Sequence, residues 1–177
     1  MKALYRRVFK NQSTGMAAIR ELLQMMFIGE FLINSESVWV VSPWVGNIVL
    51  IDNRAGCFDA LNPEWGRREI RLIDVLLSLM SKRAEVILVT RKNEINEPFL
   101  IDIKQRSIDF GVRDQLKVVT KQKLHTKGVL LSESLLVGSM NLTYSGLEIN
   151  DEWIQYSIDR EDIAKTRLEF DEYLNNA

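Results

Sequence analysis

One cysteine, one histidine and three prolines are all that this chain of 177 residues has of those types. Cys57 has no second cysteine to bridge to and no Cys or His at metal-ligand spacing, which argues against an internal disulfide and against structural zinc. No apolar run approaches the roughly 20 residues that a membrane span needs, and residues 1–10 lack the apolar core of a signal peptide, so a cytoplasmic protein is expected. Net charge is nearly absent too. At −1 it speaks against a generic polycation that holds nucleic acid by charge alone. Tandem repeats, low-complexity tracts and linkers are missing, and the 46% hydrophobic content suits one domain over residues 1–177 with a single substantial core.

The small net charge conceals a segregation. Between Lys104 and Lys127 stand seven bases (Lys104, Arg106, Arg113, Lys117, Lys121, Lys123 and Lys127) against two acids. Between Glu148 and Glu172 the balance reverses, to nine acids and three bases. Two ordinary solvated faces would account for this, as would a cationic surface that runs into the lone histidine and suits a polyanion. Charge alone does not choose.

Hydrophobic periodicity alternates along the chain. Residues 13–32, "STGMAAIRELLQMMFIGEFL", open with the hydroxyls Ser13 and Thr14 as helix-capping candidates and continue as an amphipathic helix, part of an N-terminal helical extension over 1–34. Its Met25, Met26 and Phe27 read as core or interface rather than as a ligand site. "SVWVVSPW" (37–44) is too uniformly apolar for a half-exposed strand and predicts a buried one. Residues 47–68 show no period and are open to reading as a loop or a substrate-specific insertion. "REIRLIDVLLSLMSKR" (68–83) has the period of a helix packed on a sheet, "AEVILVTR" (84–91) that of a buried strand, and together with 37–44 they predict a βαβ unit. Another helix over 97–110 leads to the strand "QLKVVT" (115–120). "HTKGVLLS" and "SLLVGSMN" then predict an antiparallel hairpin, "NLTYSGLEIN" a turn or helix start, "EWIQYSI" a strand, and "REDIAKTRLEFDEYL" a closing amphipathic helix. The expected class is α/β, with a mixed, mostly parallel sheet flanked by helices.

On a strand, side chains at i and i+2 share a face, so His125 and Lys127 are expected to project together. Ser139 and Asn141, at the end of the hairpin's second strand, stand in the same relation. Imidazole can attack phosphorus or protonate a leaving oxygen, while Lys, Ser and Asn donate hydrogen bonds to phosphate oxygens. Alone, a histidine on an apolar strand is usually structural. Trp44, Trp65 and Trp153 offer stacking surfaces for bases, although Trp44 and Trp153 are expected to be packing residues.

His-x-Lys at 125–127, Gly-Ser-x-Asn at 138–141 and "NDE" at 150–152, in this order, resemble the phospholipase D superfamily, in its single-motif, nuclease-like branch. The resemblance extends from about residue 37 to the C-terminus and is specific only from His125 to Glu152, within a motif region over 123–153. One departure stands out. The superfamily has an aspartate five positions after the lysine, where this chain has Ser132 followed by Glu133, and the spacing to Gly138 is one residue shorter than usual. The resemblance implies a metal-independent phosphodiesterase without cofactors, in which two copies of a single-motif chain complete one site as a homodimer. It implies His125 as nucleophile in one subunit and general acid in the other, through a phosphohistidine, and Lys127 and Asn141 as ligands of the non-bridging oxygens. Ser139 would bind phosphate or orient a neighbour, and Glu152 would orient the imidazole. Lys121 and Lys123 are expected to add substrate contacts, with DNA before RNA as substrate, and proteins of a DNA-modification or defence system are candidate partners. The alternative is a catalytically inactive member that binds nucleic acid or serves as a scaffold subunit of such a system.

Overall fold

The computed structural model describes residues 5–11 and 15–175, which leaves the capping role expected of Ser13 and Thr14 outside the described residues. Strand β2 (Ser37–Val41) lies at the heart of a seven-stranded sheet. Its Val38 and Val40 are buried in a large apolar cluster on one face, and Trp39 and Val41 in a second cluster on the other, as a strand covered on both sides requires. Helix α2 (Leu72–Ser81) leads to β5 (Glu85–Arg91), and α3 (Glu97–Asp109) leads to β6 (Leu116–Lys121). Both crossovers return the chain parallel, β2 to β5 and β5 to β6.

The remaining strands run the other way. β7 (Gly128–Leu130) lies antiparallel to β2, β8 (Leu135–Gly138) to β7, and β9 (Glu152–Ser157) to β8. β1 (Tyr5–Lys10) closes the edge antiparallel to β9. The expectation of a mostly parallel sheet is therefore corrected: two pairings are parallel and four antiparallel. The reason is connection length. Four residues separate β7 from β8, too few for the crossover that parallel neighbours require.

The N-terminal extension is also not helical throughout, because β1 precedes helix α1 (Met16–Phe31). "YRRVFK" buries only Val8 and Lys10, so its strand character comes from pairing with β9 rather than from its own apolar content. Within α1, Met26 and Phe27 are core, but Met25 is 64% exposed. Residues 47–68 fold into structure of their own. β3 (Val49–Asp52) pairs with β4 (Glu69–Arg71), and the loop between them is held by fully buried Asn53, which donates to Asp59 Oδ1 and Gly66 O at 2.8 Å and accepts from Phe58 N at 2.7 Å. Trp65 packs beneath this loop against Phe31.

Helix α4 (Arg160–Asn175) covers the opposite face through Ile163 and Phe170, the latter against Trp39. Half-turns of charge tie the helices down elsewhere. Asp74 of α2 accepts from Arg68 at 2.9 Å, Arg106 of α3 at 2.6 Å and the Arg71 backbone at 3.0 Å. Burial by itself would raise the Asp74 pKa, but these donors outweigh it and hold the carboxyl at about 2. Among the described residues no helix is long and apolar enough to cross a membrane.

Candidate functional site

The C-terminal ends of β2, β5 and β8 and the N-terminal ends of β7 and β9 fall at the same end of the sheet, because each antiparallel pairing reverses the direction. Crevices beyond the carboxyl ends of parallel strands are favoured binding places. Here the crevice is a cleft of about 590 Å³ whose lining includes His125, Lys127, Ser139, Asn141, Trp44, Arg91 and Trp153. Four expected site residues thus meet in one place, although His125 and Lys127 lie in an extended segment just before β7 and not on the strand itself. Their i, i+2 relation still brings them together. Lys127 Nζ donates to the His125 carbonyl at 2.7 Å and sits 3.4 Å from its ring Nδ1.

Lys127 is the cleft residue with a perturbed acidity. Burial is the largest cause and pushes its pKa below that of an ordinary lysine; the Glu152 carboxylate opposes this, and the Arg91 charge adds to it. Glu152 is buried at the start of β9. Its carboxylate accepts a hydrogen bond from the Ser139 hydroxyl and faces Asn150 Nδ2 at 3.5 Å, so its hydrogen bonds go to these two neighbours rather than to His125. Ser139 is also locked to β9: its backbone N–H donates to Trp153 O at 3.0 Å, and its Oγ accepts from Trp153 N at 3.0 Å. Asn141 differs. Its Oδ1 is buried with no hydrogen-bond partner among the described residues, although the residue lines the cleft.

The walls of the cleft are pinned together. Ser42 Oγ donates to Trp44 O at 2.6 Å and accepts from Leu142 N at 3.1 Å, joining the segment after β2 to the segment after β8. Gly138 lets β8 approach β9 at the same level: a Cβ there would overlap the Trp153 carbonyl oxygen and come within 2.9 Å of Ile154 Cα. Ser132, where the superfamily pattern has its aspartate, donates through both N–H and hydroxyl to the buried carboxylate of Glu30 in α1. Glu133 is exposed and takes no part in this.

Lys121, at the end of β6, and exposed Lys123 lead toward the cleft without lining it, and residues 47–68 do not line it either. Trp65 is core, but Trp153 is 45% exposed at the cleft, which corrects its reading as a packing residue. Arg91 and its neighbour Trp44 were not legible from the motif. Their positions just beyond two buried parallel strands were the available signal.

Residues 59–174 match the family described as cardiolipin synthase, PLD-like domain. No curated protein matches the chain in sequence. Among solved structures, Nuc from Salmonella typhimurium, described as a phospholipase D family member, is 11% identical with a TM-score of 0.58, covering 97% of this chain and 91% of that one. NucT from Helicobacter pylori is 16% identical with a TM-score of 0.56, covering 97% and 96%. TrmBL2, an archaeal chromatin protein described as showing a novel mode of DNA binding, is 14% identical with a TM-score of 0.56; the match covers 98% of this chain and about half, 52%, of that one. At such identities the likeness concerns the fold.

Proposed function

Because the chain belongs to the phospholipase D-like family, we propose that it is a metal-independent phosphodiesterase, a DNA endonuclease that works as a homodimer. The observation that carries this reading is the convergence of His125, Lys127, Ser139 and Asn141 on one cleft, with Lys127 Nζ 3.4 Å from the imidazole. One imidazole cannot attack phosphorus and protonate the leaving group in the same step, so the chain's single histidine requires a second copy. A twofold axis at the cleft brings in the partner's His125.

In the first step an imidazole nitrogen of His125 bonds to phosphorus, the P–O bond to the leaving nucleoside breaks, and the partner's His125 gives that oxygen its proton. In the second, the same partner ring takes a proton from water, whose oxygen bonds to phosphorus as the P–N bond breaks. Lys127 and Asn141 hold the non-bridging oxygens, where fixed donors stabilise the charge of the transition state. Ser139 and Glu152, bonded to each other and to β9, act as the support behind them. The basic stretch from Lys104 to Lys127, including Lys121 and Lys123, supports a polyanionic substrate.

The test is plasmid nicking in chelator by wild type and His125→Asn, alongside sedimentation. Wild type should cleave as a dimer and yield an acid-labile phosphoenzyme, and the variant should remain dimeric and inactive. Undiminished cleavage by the variant, or a strictly monomeric active protein, refutes the mechanism. A second reading, a DNA-binding protein without turnover, is favoured by the Glu152 carboxylate facing Ser139 in place of the imidazole; tight, salt-sensitive binding with no cleavage would establish it.

A further inference from the structure

The cleft holds a guanidinium that no carboxylate answers. Arg91 ends β5, and the ion pairs among the described residues engage other arginines and lysines. Its Nε is buried without a hydrogen-bond partner among the described residues. Among the described residues its aromatic neighbour is Trp44, with the guanidinium carbon 5.4 Å from the ring centroid. A buried N–H left unpaired is destabilising, and the residue that carries it lines the cleft, where the rest of its guanidinium can meet a ligand.

The placement is built, not incidental. Asn96, fully buried, donates from Nδ2 to Pro43 O at 2.9 Å and to Arg91 O at 2.8 Å, and its Oδ1 accepts from Val45 N at 3.0 Å. Thr90 Oγ1 and the Arg91 N–H also donate to Pro43 O, at 3.2 and 3.3 Å. One buried amide therefore fixes the segments that carry Trp44 and Arg91 against each other, and the indole face restricts the guanidinium plane at little entropic cost.

We propose that Arg91 is a phosphate-binding residue of the cleft, outside the signature motif, whose guanidinium fork takes non-bridging oxygens of the nucleic-acid backbone beside Lys127. Two cations on one wall repel each other: burial is the largest cause of the lowered Lys127 pKa and the Arg91 charge adds to it, while the Glu152 carboxylate offsets part of the effect. An anion bound between them removes the conflict. Arg suits the position better than Lys because its planar fork matches phosphate geometry. The identity of the polyanion rests on the function proposed above; the phosphate chemistry of Arg91 does not.

The test uses the full chain with His125→Asn, which prevents turnover, as the background for Arg91→Gln and Arg91→Lys. Binding of a fluorescein-labelled DNA oligonucleotide is titrated at several salt concentrations. Arg91→Gln should bind about tenfold more weakly at low salt, with the salt slope reduced by roughly 0.7 to 0.9, the value of one lost phosphate contact. Arg91→Lys should keep the slope and recover part of the affinity. Affinity and slope unchanged in Arg91→Gln, with the circular dichroism spectrum retained, would overturn the proposal. A parallel calorimetric titration with inorganic phosphate separates the two claims. If no variant binds DNA, the nuclease reading fails, while phosphate affinity present in wild type and weakened in Arg91→Gln still supports Arg91. Equal phosphate affinity in both, or none in either, rejects it.

Discussion

Replacing Glu30 by glutamine tests how this chain manages without the motif aspartate. The Glu30 side chain is 3% exposed, and its two oxygens accept from Ser132 N at 3.2 and 3.1 Å and from Ser132 Oγ at 2.7 Å. Glu30→Gln preserves shape and one acceptor oxygen but sets an NH2 group against donors. Hydrogen bonds to a charged group contribute about 1.5–3 kcal/mol net, and losing the charge and part of this set while opposing the Ser132 N–H should cost about 2 kcal/mol. For a chain of this size that corresponds to a fall in Tm of about 4–8 °C. Urea unfolding of wild type, Glu30→Gln, Ser132→Ala and the double variant gives the coupling directly, expected to exceed about 1 kcal/mol. Ser132→Asp supplies the carboxylate from the superfamily's position. On its own it should destabilise, because it brings a second buried carboxylate to Glu30, and it should be better tolerated when combined with Glu30→Gln. Unfolding of Glu30→Gln within about 0.5 kcal/mol of wild type, or a cycle additive within that margin, would show that Glu30 does not stand in for the missing aspartate.

Two more outcomes follow from the geometry. Gly138→Ala would force the β8 backbone away from Trp153 O and Ile154 Cα, and should destabilise by about 2–3 kcal/mol in urea while weakening the hold on Ser139 and Glu152; a fully stable variant would mean that β9 yields without cost. Asp74 has a folded pKa of about 2, below its ordinary 3.8, so its contribution is present above pH 3.8 and disappears as pH falls through 2. Allowing for solvent screening at its half-exposed arginine partners, the stability gap between wild type and Asp74→Asn should narrow by about 1–2 kcal/mol between pH 4 and 2. A gap independent of pH in that window would contradict the assignment.

The elements with strong local period were legible before the structure: the buried strands at 37–41 and 85–91, helices α2 and α3, the β7–β8 hairpin and the closing helix α4. So was the convergence of His125, Lys127, Ser139 and Asn141, since a hairpin brings together residues that are near in sequence. β1 was not, because "YRRVFK" has little apolar content and becomes a strand only through a neighbour some 150 residues away. The balance of parallel and antiparallel pairing was also misread, since each buried strand is apolar in either arrangement.

By itself, then, the sequence determined the alternation of elements and the histidine-centred constellation, because both follow from periodicity and spacing over a few tens of residues. Only the tertiary structure decided that a carboxylate 102 residues away would serve Ser132, that Asn96 would bind the segments of Trp44 and Arg91 to each other, and that Glu152 would turn to Ser139. Each is a choice of partner for a buried polar group. Such a choice is made by whichever donor or acceptor the assembled core leaves within 3 Å, and nothing in the local pattern of the chain records it.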